Sequence, residues 1–446
     1  MKSLGSRFLA TLLVYTVPCV SVFAEISLTD VNGSLRFGGW SSSRTLDNQS
    51  NIGVPSAWFN TKQEISENSK LVIDGWLRKE GSELKPAARG TLREAYLQST
   101  FGDWEFSAGR KLFLWGKADG INPTDNLSPR NFTLLTPDDT DQRLGTYSLS
   151  AKVYKGDHSF QFISIPYFVG NTVPIPNQGF PFSTRIQNPS GLQNHFAVKW
   201  ERSGGNWDWS LSYFQGNDLN PDLGIRKLPR TILNQDTATL IELSPNFESN
   251  LTKLSDGYTN QTTASFHRMH VYGGDVSTVV GKYSFRGETA YIHTADPSGK
   301  NHFIKNPNWQ TVVGGDRTFF EYLNLNIQYI YKRTFFLQDS NLIFDPYERS
   351  IARVGQTIAN QLDEHLHGAS FRISYKWFHE TLDAEITIVR YFNRGDSLIR
   401  PKLKYAINDT TYWIVGGELY SGPNDASFFG LLRRNSGVFT EFQVYF

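Results

Sequence analysis

Cysteine is almost missing from this chain of 446 residues: there is one, Cys19. It lies in an amino-terminal stretch that reads as a removable secretory signal, residues 1–24, with Lys2 and Arg7 in front and an apolar run from Phe8 to Val14. The signal closes on Val22-Phe23-Ala24, with cleavage expected before Glu25. Val17-Pro18 stand where lipoprotein processing needs a small residue, which argues against a lipid anchor. Once the signal is removed no thiol remains, so a disulfide framework and a thiolate metal site are both excluded. Beyond the signal no apolar run reaches the roughly 18 residues that a membrane-crossing helix needs. A chain of this kind enters a membrane only as a closed barrel, because lipid offers backbone groups no partner. An excess of charge is missing too. Loss of Lys2 and Arg7 turns a net charge of +1 into −1, so no nucleic acid or other polyanion is implied.

Catalytic signatures are also absent. There is no GxSxG elbow, HExxH, P-loop or dinucleotide fingerprint, so neither an enzyme nor a cofactor is expected. His267 and His270, read on one strand, and His365 and His367, at a loop end, are better taken as polar wall or loop residues than as catalytic groups. The run Pro137-Asp138-Asp139-Thr140-Asp141 offers oxygen ligands for calcium but lacks the spaced glycine of a calcium loop, and reads as a solvated loop. No metal is expected.

What is plentiful is aromatic side chain, 14% of the chain, against a mean hydropathy of −0.39. A chain rich in rings yet polar on average must separate its two kinds of residue finely, and alternating strands do so. Trp207, Trp209, Leu211 and Tyr213 oppose Asp208, Ser210 and Ser212; Leu323, Leu325, Ile327, Tyr329 and Tyr331 oppose Asn324, Asn326, Gln328 and Lys332. Segments of about 9 to 14 residues follow one another from Asn32 onward, a length that crosses a bilayer at a strand's usual tilt. Tight turns are expected at 67–69, 102–103, 155–157, 203–206, 281–282, 315–317, 378–380 and 408–409. Between them fall mostly longer connections near 46–53, 80–90, 112–142, 168–191, 216–262, 295–306, 334–365, 393–396 and 421–434. The expected fold is therefore all-β: a transmembrane antiparallel barrel over 25–446 of about 18 strands, with short periplasmic turns and long extracellular loops. Thr237 to Leu243 could add a strand. The last segment sets Val438, Phe442, Val444 and Phe446 against Glu441 and Gln443. Its terminal aromatic, Phe446, resembles the signal read by the machinery that inserts outer-membrane barrels.

A secreted soluble sandwich would bury one face of each strand, yet here the opposite faces carry charged rows that need water. A barrel of 16 to 18 strands encloses an aqueous channel, and a basic residue on its lipid side would cost roughly 2–4 kcal/mol at the midplane. The charged rows are thus assigned to the lumen. Candidate pore-lining residues are Arg286 and Glu288; Arg372 and Lys376; Asp383 and Glu385; Arg400, Lys402 and Lys404; Glu418; and Glu441. Part of this charge could simply pair across neighbouring strands. Trp200, Trp207, Trp377, Tyr412 and Trp413, near segment ends, suit aromatic girdles. The third long connection, 112–142, carries Lys117, Asp119, Asp125, Arg130, Asp138, Asp139 and Asp141 and is the candidate constriction loop, with the longer 216–262 as an alternative.

One further likeness rests on motifs. Arg93, Ala95, Tyr96 and Leu97 form an "R-x-AYL" strand; Gly109-Arg110 end its partner; Trp115-Gly116 and Asn122-Pro123-Thr124-Asp125 follow, and Arg286-Gly287-Glu288 recurs later. This pattern resembles large outer-membrane porins, among them the alginate-export type. The resemblance implies passage of solutes or polysaccharide across the outer membrane of a Gram-negative cell. The lumen of alginate exporters is dominated by arginine, whereas this wall is of mixed charge. Three functions are carried forward: a porin-type channel for small polar solutes, an exporter of a polysaccharide, and a structural sheath around a partner protein. A first strand within about ten residues of the cleavage site leaves no room for an amino-terminal plug. Outer-membrane lipid and lipopolysaccharide are the expected surroundings, and a homo-oligomer stays open.

Overall fold

The computed structural model describes residues 31–42, 50–80, 87–173, 184–229, 258–423 and 427–446. The signal segment 1–24 and the extra strand considered at Thr237 to Leu243 lie outside the described residues. The first strands are β1 (Val31–Ser42), β2 (Asn51–Ser66), β3 (Ser69–Glu80), β4 (Ala87–Phe101), β5 (Trp104–Lys111), β6 (Thr146–Lys155) and β7 (His158–Ile165). There follow β8 (Arg185–Gln187), β9 (His195–Arg202), β10 (Trp207–Asn217), β11 (Asp222–Pro229), β12 (Tyr258–Ser265), β13 (Arg268–Val280) and β14 (Tyr283–His293). The remainder are β15 (Asn308–Phe319), β16 (Leu323–Thr334), β17 (His365–Trp377), β18 (Leu382–Tyr391), β19 (Asp396–Ala406), β20 (Thr411–Ser421) and β21 (Gly437–Tyr445).

Eighteen of these strands make one closed antiparallel barrel. Each pairs with its neighbour in sequence, except that β7 pairs with β9 and β10 with β13 across strands that stand outside the ring. The ring closes where β1 pairs with β21, from Ser34 opposite Tyr445 to Ser42 opposite Gly437. Period two sorts the side chains. Leu35, Phe37, Leu149, Leu211, Ile327 and Leu403 are exposed on the outer wall, while Ser34, Arg36, Ser210, Asn326 and Gln328 are buried on the inner one. So broad an apolar surface is unusual on a protein surrounded by water.

The hairpin expected at Gly315–Arg317 is instead part of β15, and the chain reverses at Phe320–Tyr322 with Phe320 and Glu321 at φ 50° and 68°. Ladder pairs on both sides, Ser284 with Asp316 and Thr318 with Asn324, fix that register. The glycines there mark close strand approach, not a turn: a Cβ at Gly314 would run into the Ile327 carbonyl and one at Gly315 into the Ser284 carbonyl.

Three more expectations are corrected. Trp200, Trp207, Trp377 and Trp413 are exposed on the outer wall, but Tyr412 turns inward, where the Lys404 Nζ stands 4.2 Å above its ring. His267 precedes β13 and bonds Asp222 at 2.8 Å, so it shares no strand with His270. His365 and His367 lie within β17 and contact Tyr331 and Tyr329.

The connections at the open end carry structure of their own. β11 pairs antiparallel with β12, which pairs parallel with β8, forming a small sheet. It packs through Leu223 and Ala264 on Ile351 of helix α1 (Pro346–Ile358). Asp345 caps that helix by accepting from the Tyr347 and Glu348 amides, and Pro346 supplies a first-turn residue with no amide to satisfy. Lys305 reaches both Asp218 and Asp222, at 3.1 and 3.0 Å, and ties the sheet to the connection after β14.

Candidate functional site

The connection from β5 to β6, residues 112–145, turns into the barrel. Its first half is held by buried contacts. The Leu112 amide donates to Glu94 at 2.7 Å, and the Ser128 hydroxyl closes a small ring on the Phe113 backbone at 2.8 and 3.0 Å. Phe113, Trp115 and Leu127 then pack on an apolar stripe of the inner wall that includes Ile163, Ala197, Phe214 and Val271. At the far side of that stripe stands Glu288, 2% exposed. Its carboxylate accepts from the amides of Lys117, Ala118 and Thr124 at 3.0, 3.1 and 2.8 Å and from the Thr124 hydroxyl at 2.8 Å. Gly116 permits this approach: its φ is 93°, and a Cβ there would collide with the carboxylate.

Asp119 continues the attachment. It meets Arg286 at 3.1 Å, the Asn326 amide at 2.6 Å and Arg372 at 3.8 Å. Arg286 also pairs with Asp316. The Gln328 side-chain amide, turned to match, exchanges two hydrogen bonds of 2.9 Å with the Asp119 backbone. Lys117 lies to the other side, with Nζ 3.0 Å from Ser277 and 3.9 Å from Asp208.

The second half of the loop is a hairpin-like excursion. Arg130 and Arg143 bridge at its base and both pair with Asp125, at 3.0 and 2.6 Å. Its tip, near a single 3-10 turn at Asp139–Gln142, reaches the opposite wall through side chains. Asp141 pairs with Arg36 of β1 at 2.8 Å, both nearly sealed from solvent, and Arg36 also lies 4.6 Å above the Trp76 ring. Asp139 grips Arg400 of β19 with two bonds, 2.5 and 2.7 Å, and Asp138 meets Lys402 at 3.3 Å. Burial works to raise the Asp139 carboxyl, but the hydrogen bonds and charge of Arg400 outweigh it and hold the group below its ordinary value.

The wall behind the tip pairs within itself as well. Arg400 contacts Glu418 at 2.6 Å, Lys402 lies 3.7 Å from Glu385, and the Tyr420 hydroxyl donates to Glu418 at 2.8 Å. Between loop and wall remains a cavity of about 320 Å³, lined among others by Asp119, Arg130, Arg143, Arg372, Arg400 and Lys402. Asp383 faces Lys376 and Lys404 in the strand register nearer the short turns, where Lys376 pairs with Glu380 at 2.8 Å.

Two candidates face inward without lining open lumen. Glu288 is covered by the loop, and Glu441 is 3% exposed, bonded by Gln443 at 2.7 Å. Alternation tells which face a residue takes, and not what covers that face. Leu35-Arg36-Phe37 carries the same alternating signal as the candidate rows, and Arg36 is an inward residue outside that set. Arg143 and Asp316 had no such signal, one in an irregular loop and the other read as a turn.

Fold and lumen together define a closed 18-strand antiparallel barrel, a fold this chain shares with outer-membrane porins. Among solved structures, a BenF-like porin from Pseudomonas fluorescens Pf-5 superposes at a TM-score of 0.52 with 8% identity, covering 94% of this chain and 97% of that one. At that identity the likeness is one of fold. A loop-deletion mutant of OmpT, an outer membrane protein of Vibrio cholerae, scores 0.43 at 10% identity, covering 94% of this chain and 98% of that one. The outer membrane channel DcaP of Acinetobacter baumannii scores 0.40 at 11% identity, covering 93% and 96%. No protein-family model and no curated relative matches the chain.

Proposed function

We propose that this chain is an outer-membrane channel for small polar solutes, narrowed by residues 112–145. One observation carries the reading: a closed barrel with an apolar outer wall encloses a lumen in which a cavity of about 320 Å³, between loop and wall, is bordered by charged side chains. Hydrocarbon suits the outer wall, and water suits the cavity, whose bordering charges stay partly exposed beside their partners. β1 begins and β21 ends at the short-turn end, which supports a periplasmic placement of that end and an extracellular one of the small sheet with α1. The outer wall then meets outer-membrane lipid and lipopolysaccharide, and Phe446 closes the strand that the insertion machinery would read.

The mixed sign of the lining favours small solutes over a polyanionic polymer. Arg400 and Lys402 each have a carboxylate on the wall and another on the loop, so no continuous cationic track remains for a long anion.

Recording from the purified chain in a planar bilayer tests the reading. Stepwise ohmic conductance is expected, and Arg400→Glu with Lys402→Glu should move the reversal potential under a salt gradient toward cation preference. A silent membrane would end the channel reading; conductance with an unmoved reversal potential would put those two side chains off the permeation path.

A further inference from the structure

We infer that Arg400 and Lys402 form a binding site for a small dianion, a dicarboxylate in the first instance, and that Asp138 and Asp139 of the loop tip occupy it as a built-in competitor. The inference deepens the channel reading and rests on it for how the anion arrives.

The contacts have the form that ligand recognition takes. A guanidinium holding one carboxylate through two bonds is a strong and directional way to bind that group, and here it holds Asp139 at 2.5 and 2.7 Å. The adjacent carboxylate, Asp138, goes to the next inward cation on the same strand, Lys402, at 3.3 Å. Two neighbouring acids of one chain thus lie on two neighbouring bases of another element, as the two ends of a short dicarboxylate would.

Exposure tells which side can leave. The Asp139 and Asp138 side chains are 51% and 44% exposed, whereas Arg400 and Lys402 are 23% and 28% exposed. The bases are set in the wall, and the acids come to them from the solvent side on a loop. What anchors the tip lies elsewhere: the Arg36–Asp141 pair is sealed, at 7% and 8% exposure, and would stay closed while residues 138 and 139 lift away. Replacing two loop carboxylates with one dianion leaves the charge of the wall unchanged, so Glu385 and Glu418 keep their present partners. A monoanion would leave one base without its second carboxylate. The cavity of about 320 Å³ beside the pair falls in the range of small-molecule sites, and its border carries Arg130, Arg143 and Arg372 beside Asp119 and Glu385.

The test is calorimetric titration of the full chain in detergent with malonate, succinate and glutarate, and with acetate as the monoanion. Asp138→Asn with Asp139→Asn should tighten binding of the best dicarboxylate about tenfold, because two exposed ion pairs no longer compete. Arg400→Gln with Lys402→Gln should abolish it. Equal affinity in the native chain and the aspartate variant, or binding that survives loss of both bases, would overturn the inference. A second measurement needs no variant: saturating dicarboxylate should speed amide exchange in 137–142 at least about threefold and leave 112–128 unchanged, while acetate should do neither. Unchanged exchange at the tip would count equally against the inference. Neither readout requires conduction, so a chain that binds dicarboxylate but forms no channel would sink the function and spare the site.

Discussion

The two halves of the loop inside the barrel are fastened by different physics. Residues 112–128 are held by apolar packing of Phe113, Trp115 and Leu127 and by a buried carboxylate that satisfies three backbone amides. Residues 129–145 cross to the other wall and end in ion pairs, of which one is sealed and two are half open to water. The first kind of fastening rests on shape and on a buried carboxylate that salt reaches little, with the Asp119 pairs to Arg286 and Arg372 as a screened part. The second depends on charge, is screened, and can be exchanged for another charge of the same sign. A loop fastened this way is held at one half by packing and at the other by charge.

The largest loss is expected at Glu288. Glu288→Ala orphans three buried amides, each worth about 1–3 kcal/mol, so a loss on the order of 3 kcal/mol is expected, read as a lower urea midpoint in detergent. Amide protection at Lys117, Ala118 and Thr124 should fall with it, and persistent protection there would show the first half to be held by packing alone. Gly116→Ala comes next. A side chain at φ 93° is strained and would push against the same carboxylate, for about 1–3 kcal/mol. A variant as stable as the parent would mean that the cradle has slack.

The smallest effect is expected at Asp139. Asp139 in the folded chain has a carboxyl held below its ordinary value of 3.8, so its contribution is present above that value and is lost as pH falls through the lower, folded one. The contribution is that of exposed pairs, about 0.2–1 kcal/mol each. Exchange at the tip should therefore stay flat as pH is lowered from about 7 to about 4 and rise only below. A rise centred near pH 6 would point to a histidine in place of the aspartate.

Much of the barrel could be read in the chain because period two is a local signal. Leu211 and Tyr213 outside, Ser210 inside, and Arg400, Lys402 and Lys404 in one inward row need no knowledge of distant residues. The reversal at Phe320–Tyr322 was hidden because its position is fixed by pairing with β14 and β16, while Gly314-Gly315-Asp316 imitates a turn. Tyr412 departs from the girdle for a simpler reason: Tyr412-Trp413 offers two rings in succession, and only one of them can face outward. The small sheet beside α1 was not legible, since its strands lie in polar connections and β8 is three residues long. Least visible was the meaning of Glu288. That it faces inward follows from alternation; that it binds the loop after β5 is a contact across more than 160 positions of sequence.

The ladder between β1 and β21 differs from every other in the ring, because it joins the two extremes of the barrel sequence. Phe446 and Gly33 exchange backbone bonds of 2.9 and 3.0 Å at its edge. Until the final nine residues of β21 are in place, the sheet is an open ribbon with two unsatisfied borders, prone to pair with any strand it meets. Sealing the seam is thus an all-or-none event that no earlier stretch of the chain can perform in its stead.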